Sequence, residues 1–311
     1  MMDVKHNDCV IGMDIGGTNV RIGAVGLDGT LLHARKSSSR PLADGTPETA
    51  IQDLADFING YIRESVPQKV LGIAIAFPAT LDARREVLYS ASNFGTNAKC
   101  RYDGMRIAEL LAPLVSAPVY LGKDTDFILQ QDMHELGIQT EQMVAGVYFG
   151  TGIGSSFFYR GETIYGADGV AGEIGHLPIS DNRRQCTCME RQGCCETVAS
   201  GWRLIQILNE HFPDTELGDI FTKHADAEPV DTFVYDMARI LALTGNLLNP
   251  AYTVVGGGIP EMKDFPKEKL DAYVRQMLRH PYPRDSYQLR FSPGGQNAGV
   301  LGGSRYLLGK L

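Results

Sequence analysis

No run of this chain is apolar for long enough to cross a membrane. The longest, residues 70–78 of 311, is about half of the ~20 residues a spanning helix needs, so it reads as a buried strand. Residues 1–7 are polar and carry no apolar signal core, which makes the cytoplasm the expected compartment. A basic excess is missing too. The 29 Lys and Arg stand against 37 Asp and Glu, a formal charge of -8, without the positive face a nucleic-acid footprint needs. No Ser/Gly linker, low-complexity tract or charge block marks a boundary. A Walker lysine is absent, and the glycines at 150–154 have the wrong spacing for a dinucleotide fingerprint. What is present is ordinary: 43% apolar and 21% charged residues, in a length that fits roughly two domains with a sizeable core.

Cysteine usage is uneven. Four of the six cysteines, Cys186, Cys188, Cys194 and Cys195, crowd into ten residues, while Cys9 and Cys100 stand apart. A secreted disulfide framework spreads its cysteines, so a dense cluster without a signal peptide reads as a metal site. His176 lies ten residues before Cys186. One imidazole and three thiolates make the closed tetrahedral set of structural zinc, against the competing reading of a disulfide. Chemistry alone leaves open whether Cys194 or Cys195 is the third thiolate.

Pattern supplies the organisation. Strand-like runs at 9–14, 19–25 and 30–34 are separated by Ile15-Gly16-Gly17 and Asp28-Gly29. A helix is expected over 47–65, a buried strand over 70–77, a short strand at 119–121, and a helix from Asp124 to about 136. Residues 143–166 then repeat the opening layout: strand, Gly150-Thr151-Gly152-Ile153-Gly154, strand, Arg160-Gly161, strand. Two copies of one unit point to a duplicated architecture. Helices over 198–211, 230–248 and 266–278, strands at 252–255 and 288–291, and a last helix from 298 complete the chain. The expected domains are 1–125 and 126–297, with 298–311 returning to the first.

Several positions carry chemistry. A strand ending in Asp14-Ile15-Gly16-Gly17-Thr18 leaves backbone N–H groups uncovered, the makings of an anion-binding nest, and Thr18 and Thr151 add hydroxyls. Asp14 suits Mg²⁺ held through water. The plain alternative for either turn is a hairpin that merely uses glycine. Gly256-Gly257-Gly258 permits close approach of a flat ligand, or is a tight strand-to-helix turn. Glu173 and Glu196 flank the cysteine cluster and suit sugar hydroxyls. Asp124 is a helix N-cap or a general base at the mouth of a cleft.

Over nearly the whole chain these residues resemble the ROK sugar kinases, relatives of actin, hexokinase and Hsp70. Asp14 to Thr18 is similar to that family's first phosphate loop, and Gly150 to Gly154 to its second; Gly256 to Gly258 matches its adenosine loop. Most specific is Gly172-Glu173-Ile174-Gly175-His176, ten residues, Cys186-x-Cys188, then Gly193-Cys194-Cys195-Glu196. The resemblance implies a duplicated actin/hexokinase-like (ribonuclease H-like) α/β fold, two domains with a cleft between them, and ATP-dependent phosphorylation of a hexose, at C6. It implies Asp124 as base, Asn93, Glu173, His176 and Glu196 for the sugar, and His176, Cys186, Cys188 and Cys194 for structural Zn²⁺. ATP, Mg²⁺ and a hexose are the expected ligands, with no nucleic acid or membrane partner, and a homodimer is the expected assembly. Three departures stand out: Lys123 replaces the usual Asn before the base, Asp126 replaces an Asn two residues after it, and the zinc loop has Met189 for Gly plus one extra residue before Gly193. Lys123 with Phe77-Pro78-Ala79 is similar to the D-allose kinase branch; glucokinase or another hexokinase activity is the alternative. A sugar-sensing regulator of this family carries about sixty residues of helix-turn-helix before its first strand, and here that strand begins by Cys9. Intact Asp14, Thr18, Asp124 and Thr151 argue against a non-catalytic sugar-binding protein.

Overall fold

Along the first strand, β1 (Asp8–Ile15), Cys9, Ile11, Met13 and Ile15 enter one core and Val10 another, the period of two of a strand covered on both faces. A computed structural model describes residues 8–91, 94, 100–139, 141–179, 183–186 and 192–311. It divides the chain into two compact units. Unit 1 is Met1–His134, Tyr165–Ala171 and Gly295–Leu311; unit 2 is Glu135–Ile164 and Gly172–Gly294. The division falls between His134 and Glu135, at the last residue of the helix Asp124–Glu135, so all but that residue of the helix stays with unit 1. Phe127 explains why, since it packs with Ala74, Ala76 and Leu307 of unit 1.

Unit 1 holds β1, β2 (Asn19–Gly26), β3 (Leu31–Ser38), β4 (Lys69–Phe77), the small hairpin β5 (Thr80–Leu81) and β6 (Leu88–Ser90), and β7 (Val119–Lys123). Its main sheet runs β3-β2-β1-β4-β7, with the hairpins antiparallel and β1, β4 and β7 parallel. The helix Pro47–Ser65 covers one face through Ala50, Leu54, Ile58 and Tyr61, spaced along one stripe, and starts with proline where its missing N–H costs nothing. Full burial of Leu54 and Ile58 contributes about 1.5–3 kcal/mol each. The helix Ala298–Leu308 covers the other face at very short range. A Cβ on Gly12 of β1 would overlap the Val300 carbonyl, and one on Gly302 would overlap the Phe127 carbonyl.

Unit 2 repeats the plan. β8 (Val144–Phe149), β9 (Ile153–Tyr159), β10 (Glu162–Thr163), β11 (Tyr252–Gly256) and β12 (Leu289–Phe291) run in the order β10-β9-β8-β11-β12, with the same senses as in unit 1. The helix Glu228–Leu248 fills its core with Phe233, Met237, Ile240 and Leu241 and ends at Asn249 in the left-handed region, φ +45. The single helix expected over 198–211 is two: Glu196–Ala199, then Gly201–His211. Ser200 is extended between them, and its hydroxyl accepts the Arg203 N–H at 3.3 Å as an N-cap. Among the described residues no helix is long and apolar enough to cross a membrane.

Candidate active site

Strand register brings the two acidic candidates of unit 1 to the same end of the sheet. Asp14 pairs with Ala76 and Ala76 with Gly122, while Phe77 pairs with Lys123 immediately before Asp124. Both carboxylates thus sit at the carboxyl ends of parallel strands, where open α/β sheets place their ligands. Asp124 is the first residue of its helix, and its Oδ1 accepts the Thr125 N–H at 2.7 Å. Burial pushes the Asp124 carboxyl up to about 6; Lys123 pulls it down, and the charges of Asp14 and Asp126 push it further up. Asp14 is also raised by burial, with Arg21 opposing at 4.0 Å. Above Asp14 lies Gly299, where a Cβ would come within 2.7 Å of its Cγ.

The first glycine turn is held by its own backbone. The Gly16 N–H donates to Asn19 at 2.9 Å, the Ser39 hydroxyl to the Gly17 carbonyl at 3.0 Å, and the Ser39 N–H to the Thr18 carbonyl at 3.0 Å. Gly17 and Thr18 are at the surface, and their N–H groups meet no protein acceptor among the described residues.

The second turn occupies the equivalent place in unit 2. Gly150 N–H donates to Gly152 at 2.9 Å, and the helix Gly201–His211 caps the turn through Gly201 N–H to the Gly150 carbonyl at 2.8 Å. Thr151 is exposed. Glu196, buried at the start of its short helix, accepts the Ile153 N–H at 2.8 Å. Beside the turn, Gly257 (φ +90) lies so close to the Phe149 backbone that a Cβ there would sit 2.5 Å from the Phe149 carbonyl. Gly256 pairs with Tyr148, so the run Gly256 to Gly258 leaves the sheet next to Gly150.

Glu173 and His176 frame one short 3-10 turn, each about a third exposed, with Glu173 Oε2 4.0 Å from His176 Nε2. The other ring nitrogen faces the cysteines: Nδ1 is 3.6 Å from Cys186 Sγ, and Cys194 Sγ is 3.5 Å from the His176 carbonyl. Ligand atoms of His176, Cys186 and Cys194 all lie within 4.8 Å of one another. Imidazole and thiolates gathered at that range fit zinc. Cys195 is turned away. Its side chain is fully buried in the unit 2 core, and burial pushes its thiol up to about 12. Asn93 and Cys188 lie outside the described residues.

Two neighbours of the carboxylates escape a reading by motif. Arg21 was within reach of one, because a hairpin turning over residues 16–19 pairs Asp14 with position 21. Arg85, which ion-pairs with Asp126 at 3.1 Å, was not; nothing local links positions 85 and 126.

Comparison with known proteins bears on the whole chain. A model described as the ROK family matches residues 10–309. A glucokinase of Thermotoga maritima is 26% identical over 94% of this chain and 95% of its own. Among solved structures, a ROK family glucokinase from Streptomyces griseus in complex with glucose and AMPPNP superposes with a TM-score of 0.77 at 22% identity, covering 96% of this chain and 98% of that one. A ROK family transcriptional regulator, a homologue of the E. coli MLC protein, does so with a TM-score of 0.81 at 18% identity, covering 97% of this chain and 78% of that one.

Proposed function

The chain belongs to the ROK family, and from that premise we propose that it is an ATP-dependent kinase acting on a hexose, with transfer to the C6 hydroxyl. The observation that carries this reading is the placement of Asp14 and Asp124 together at the carboxyl end of the unit 1 sheet, with an exposed glycine turn beside them.

In the proposed reaction the sugar hydroxyl oxygen bonds to the γ-phosphorus of ATP as the bond to the β–γ bridging oxygen breaks. ADP leaves with that electron pair, and Asp124 takes the hydroxyl proton. Such transfers need positioning and charge stabilisation more than strong bases, and a carboxyl pushed up to about 6 is a better base than an ordinary aspartate. The N–H groups of Gly17 and Thr18, which meet no acceptor among the described residues, suit phosphate oxygens, with Gly16 closing the turn and Thr151 in the matching turn Gly150 to Gly152 of unit 2. Gly256 to Gly258 suits the adenosine. Asp14 would hold Mg²⁺ through water; when bound, the ion neutralises phosphate charge.

Asn93, Glu173, His176 and Glu196 are the proposed sugar contacts. His176, Cys186, Cys188 and Cys194 would hold zinc, which supplies a fixed imidazole tautomer and no chemistry on the substrate. With Nδ1 toward the thiols, Nε2 is left as the donor facing Glu173 and the sugar. Lys123 and Phe77-Pro78-Ala79 favour D-allose within this class.

Coupled ATP turnover against allose, glucose, mannose, fructose and N-acetylmannosamine tests the reading. Turnover of one hexose is expected. Sugar binding without turnover of any would replace the kinase by a sugar-sensing regulator.

A further inference from the structure

Arg85 stands in the loop of the β5–β6 hairpin with a left-handed backbone, φ +58, which a side chain of its size rarely adopts. The loop is built to keep it there. Asp82 Oδ1 accepts the Glu86 and Val87 N–H groups at 2.6 and 2.8 Å, and the Arg85 N–H donates to the Asp82 carbonyl at 2.9 Å. From this fixed point the guanidinium reaches three parts of unit 1. Nη2 meets Asp126 Oδ2 at 3.1 Å, Nη1 donates to the Gly169 carbonyl at 2.9 Å and to the Leu81 carbonyl at 3.3 Å, and the group stacks on the Tyr165 ring at 3.7 Å.

The pair is withdrawn from water, with side-chain exposures of 9% for Arg85 and 6% for Asp126. Nε of Arg85 has no acceptor among the described residues, so the burial of this charge is offset at Nη1, Nη2 and the ring. Gly169, φ +86, touches the hairpin backbone so closely that any Cβ would overlap the Leu81 carbonyl and Asp82. The segment Tyr165–Ala171 is therefore laid on the hairpin from both ends, by a stacked ring and by bare backbone.

We propose that Arg85 is a positioning residue of the transfer site. By gripping Asp126 and the segment Tyr165–Ala171 together, it fixes the first turn of the helix that Asp124 opens. The same grip holds the segment Tyr165–Ala171 against the β5–β6 hairpin within unit 1. The aspartate at 126, where the family resemblance leads to an expectation of Asn, is the acidic half of this grip. Its kinetic consequence rests on the kinase reading; the grip itself does not.

The test uses Arg85→Met, Arg85→Lys, Asp126→Asn and the double variant Arg85→Met/Asp126→Asn in the full chain. Steady-state kinetics are read beside amide hydrogen exchange over 165–171, where the Ala171 N–H bonds to the Tyr165 carbonyl at 3.0 Å. Arg85→Met is expected to lower kcat by about ten- to a hundredfold, the scale of a small misplacement, with the ATP KM within about twofold of the parent. Exchange at Ala171 should rise about tenfold or more, the size of effect a lost buried pair supports. The double variant should lose no more than Arg85→Met, because removing both partners leaves no unpaired buried charge. Arg85→Lys keeps the charge without the fork and should fall between. If Arg85→Met does not fold, Arg85→Lys carries both readouts. Unchanged exchange in a folded variant overturns the proposal, as do losses that multiply in the double variant. A parent chain that turns over no hexose defeats the kinase reading, while exchange at 165–171 still decides the grip.

Discussion

Glu196 Oε1 and the Ile153 N–H meet at 2.8 Å, so one carboxylate serves the loop proposed for the sugar and the end of the turn proposed for phosphate. The same oxygen lies where a Cβ on Gly152 would go, and Glu196 Cγ stands 3.2 Å from one on Gly175. A side chain at 152 must displace Glu196, whereas one at Gly150 meets nothing within 4 Å. Gly152→Ala is therefore expected to raise both the ATP and the sugar KM by about tenfold, the value of one hydrogen bond to a charged group. Gly150→Ala leaves Glu196 in place and should keep the sugar KM within about twofold, so that any loss falls on ATP alone, whose phosphates the turn is proposed to hold. Initial rates with each substrate varied in turn check the contrast. Equal effects from the two alanines would mean that the turn does not depend on Glu196.

Asp124 gives a prediction with two readouts. Asp124→Asn keeps the shape and loses the base, so kcat should fall by at least ~10²-fold with little change in sugar affinity. In the parent, kcat/KM should decline below about pH 6, because protonation removes the acceptor for the hydroxyl proton. Stability moves the other way. A carboxyl raised from 3.8 to about 6 binds its proton more tightly folded than unfolded, so its ionised form opposes folding. That opposition is absent below about pH 3.8 and grows until about pH 6. The substituted amide cannot ionise, and the variant should melt higher than the parent at neutral pH, at about 1.4 kcal/mol per pKa unit relieved. A variant that keeps near-normal turnover defeats the role; one that melts lower defeats the burial argument.

The duplicated sheet was legible because its signals are local. Glycine turns at 16–17 and 150–154 and alternating apolar residues fix two hairpins of the same order, and both sheets carry them. The helix Pro47–Ser65 was equally plain, since its stripe and its proline mark face and start. The break at Ser200 was hidden. It arises because Gly201 must bring its N–H to the Gly150 carbonyl, 2.8 Å away, a contact no local pattern encodes. The short hairpin β5–β6 was missed for the same reason, since its two- and three-residue strands offer no period to read. Of the proposed site, the sequence offered only residues that repeat a family spacing, while Arg85, tied to Asp126 across 41 positions of sequence separation, carries no such signal.

Specificity gives a narrower test. Lys123 ends β7 beside Asp124, in place of an amide able both to donate to and accept from sugar hydroxyls. If it selects allose, allose should exceed glucose in kcat/KM by about ten- to two-hundredfold, the range one pocket contact supplies. Lys123→Asn should narrow that ratio while ATP affinity holds. A parent preference for glucose or N-acetylmannosamine sinks the allose assignment and leaves the kinase proposal standing.

The adjacent cysteines separate the proposed metal site from the core. Cys194 Sγ shares a cluster with His176 and Cys186, all ligand atoms within 4.8 Å, while Cys195 is packed among apolar side chains of unit 2. A zinc ion binds where donor atoms converge, and Cys195 Sγ is packed into the core rather than gathered with the other three. Cys186→Ser, Cys188→Ser and Cys194→Ser should each lose zinc and raise the sugar KM, with a smaller effect on ATP, because His176 loses the metal that fixes its ring. Cys195→Ser should keep one zinc per chain yet melt lower, since it places a hydroxyl in an apolar core at a cost of about 1–3 kcal/mol. Metal analysis and thermal melts on the same samples decide it. Zinc retained in Cys194→Ser but lost in Cys195→Ser would mean that the extra residue before Gly193 has shifted the register, and Glu196 would lose its assignment to the sugar with it.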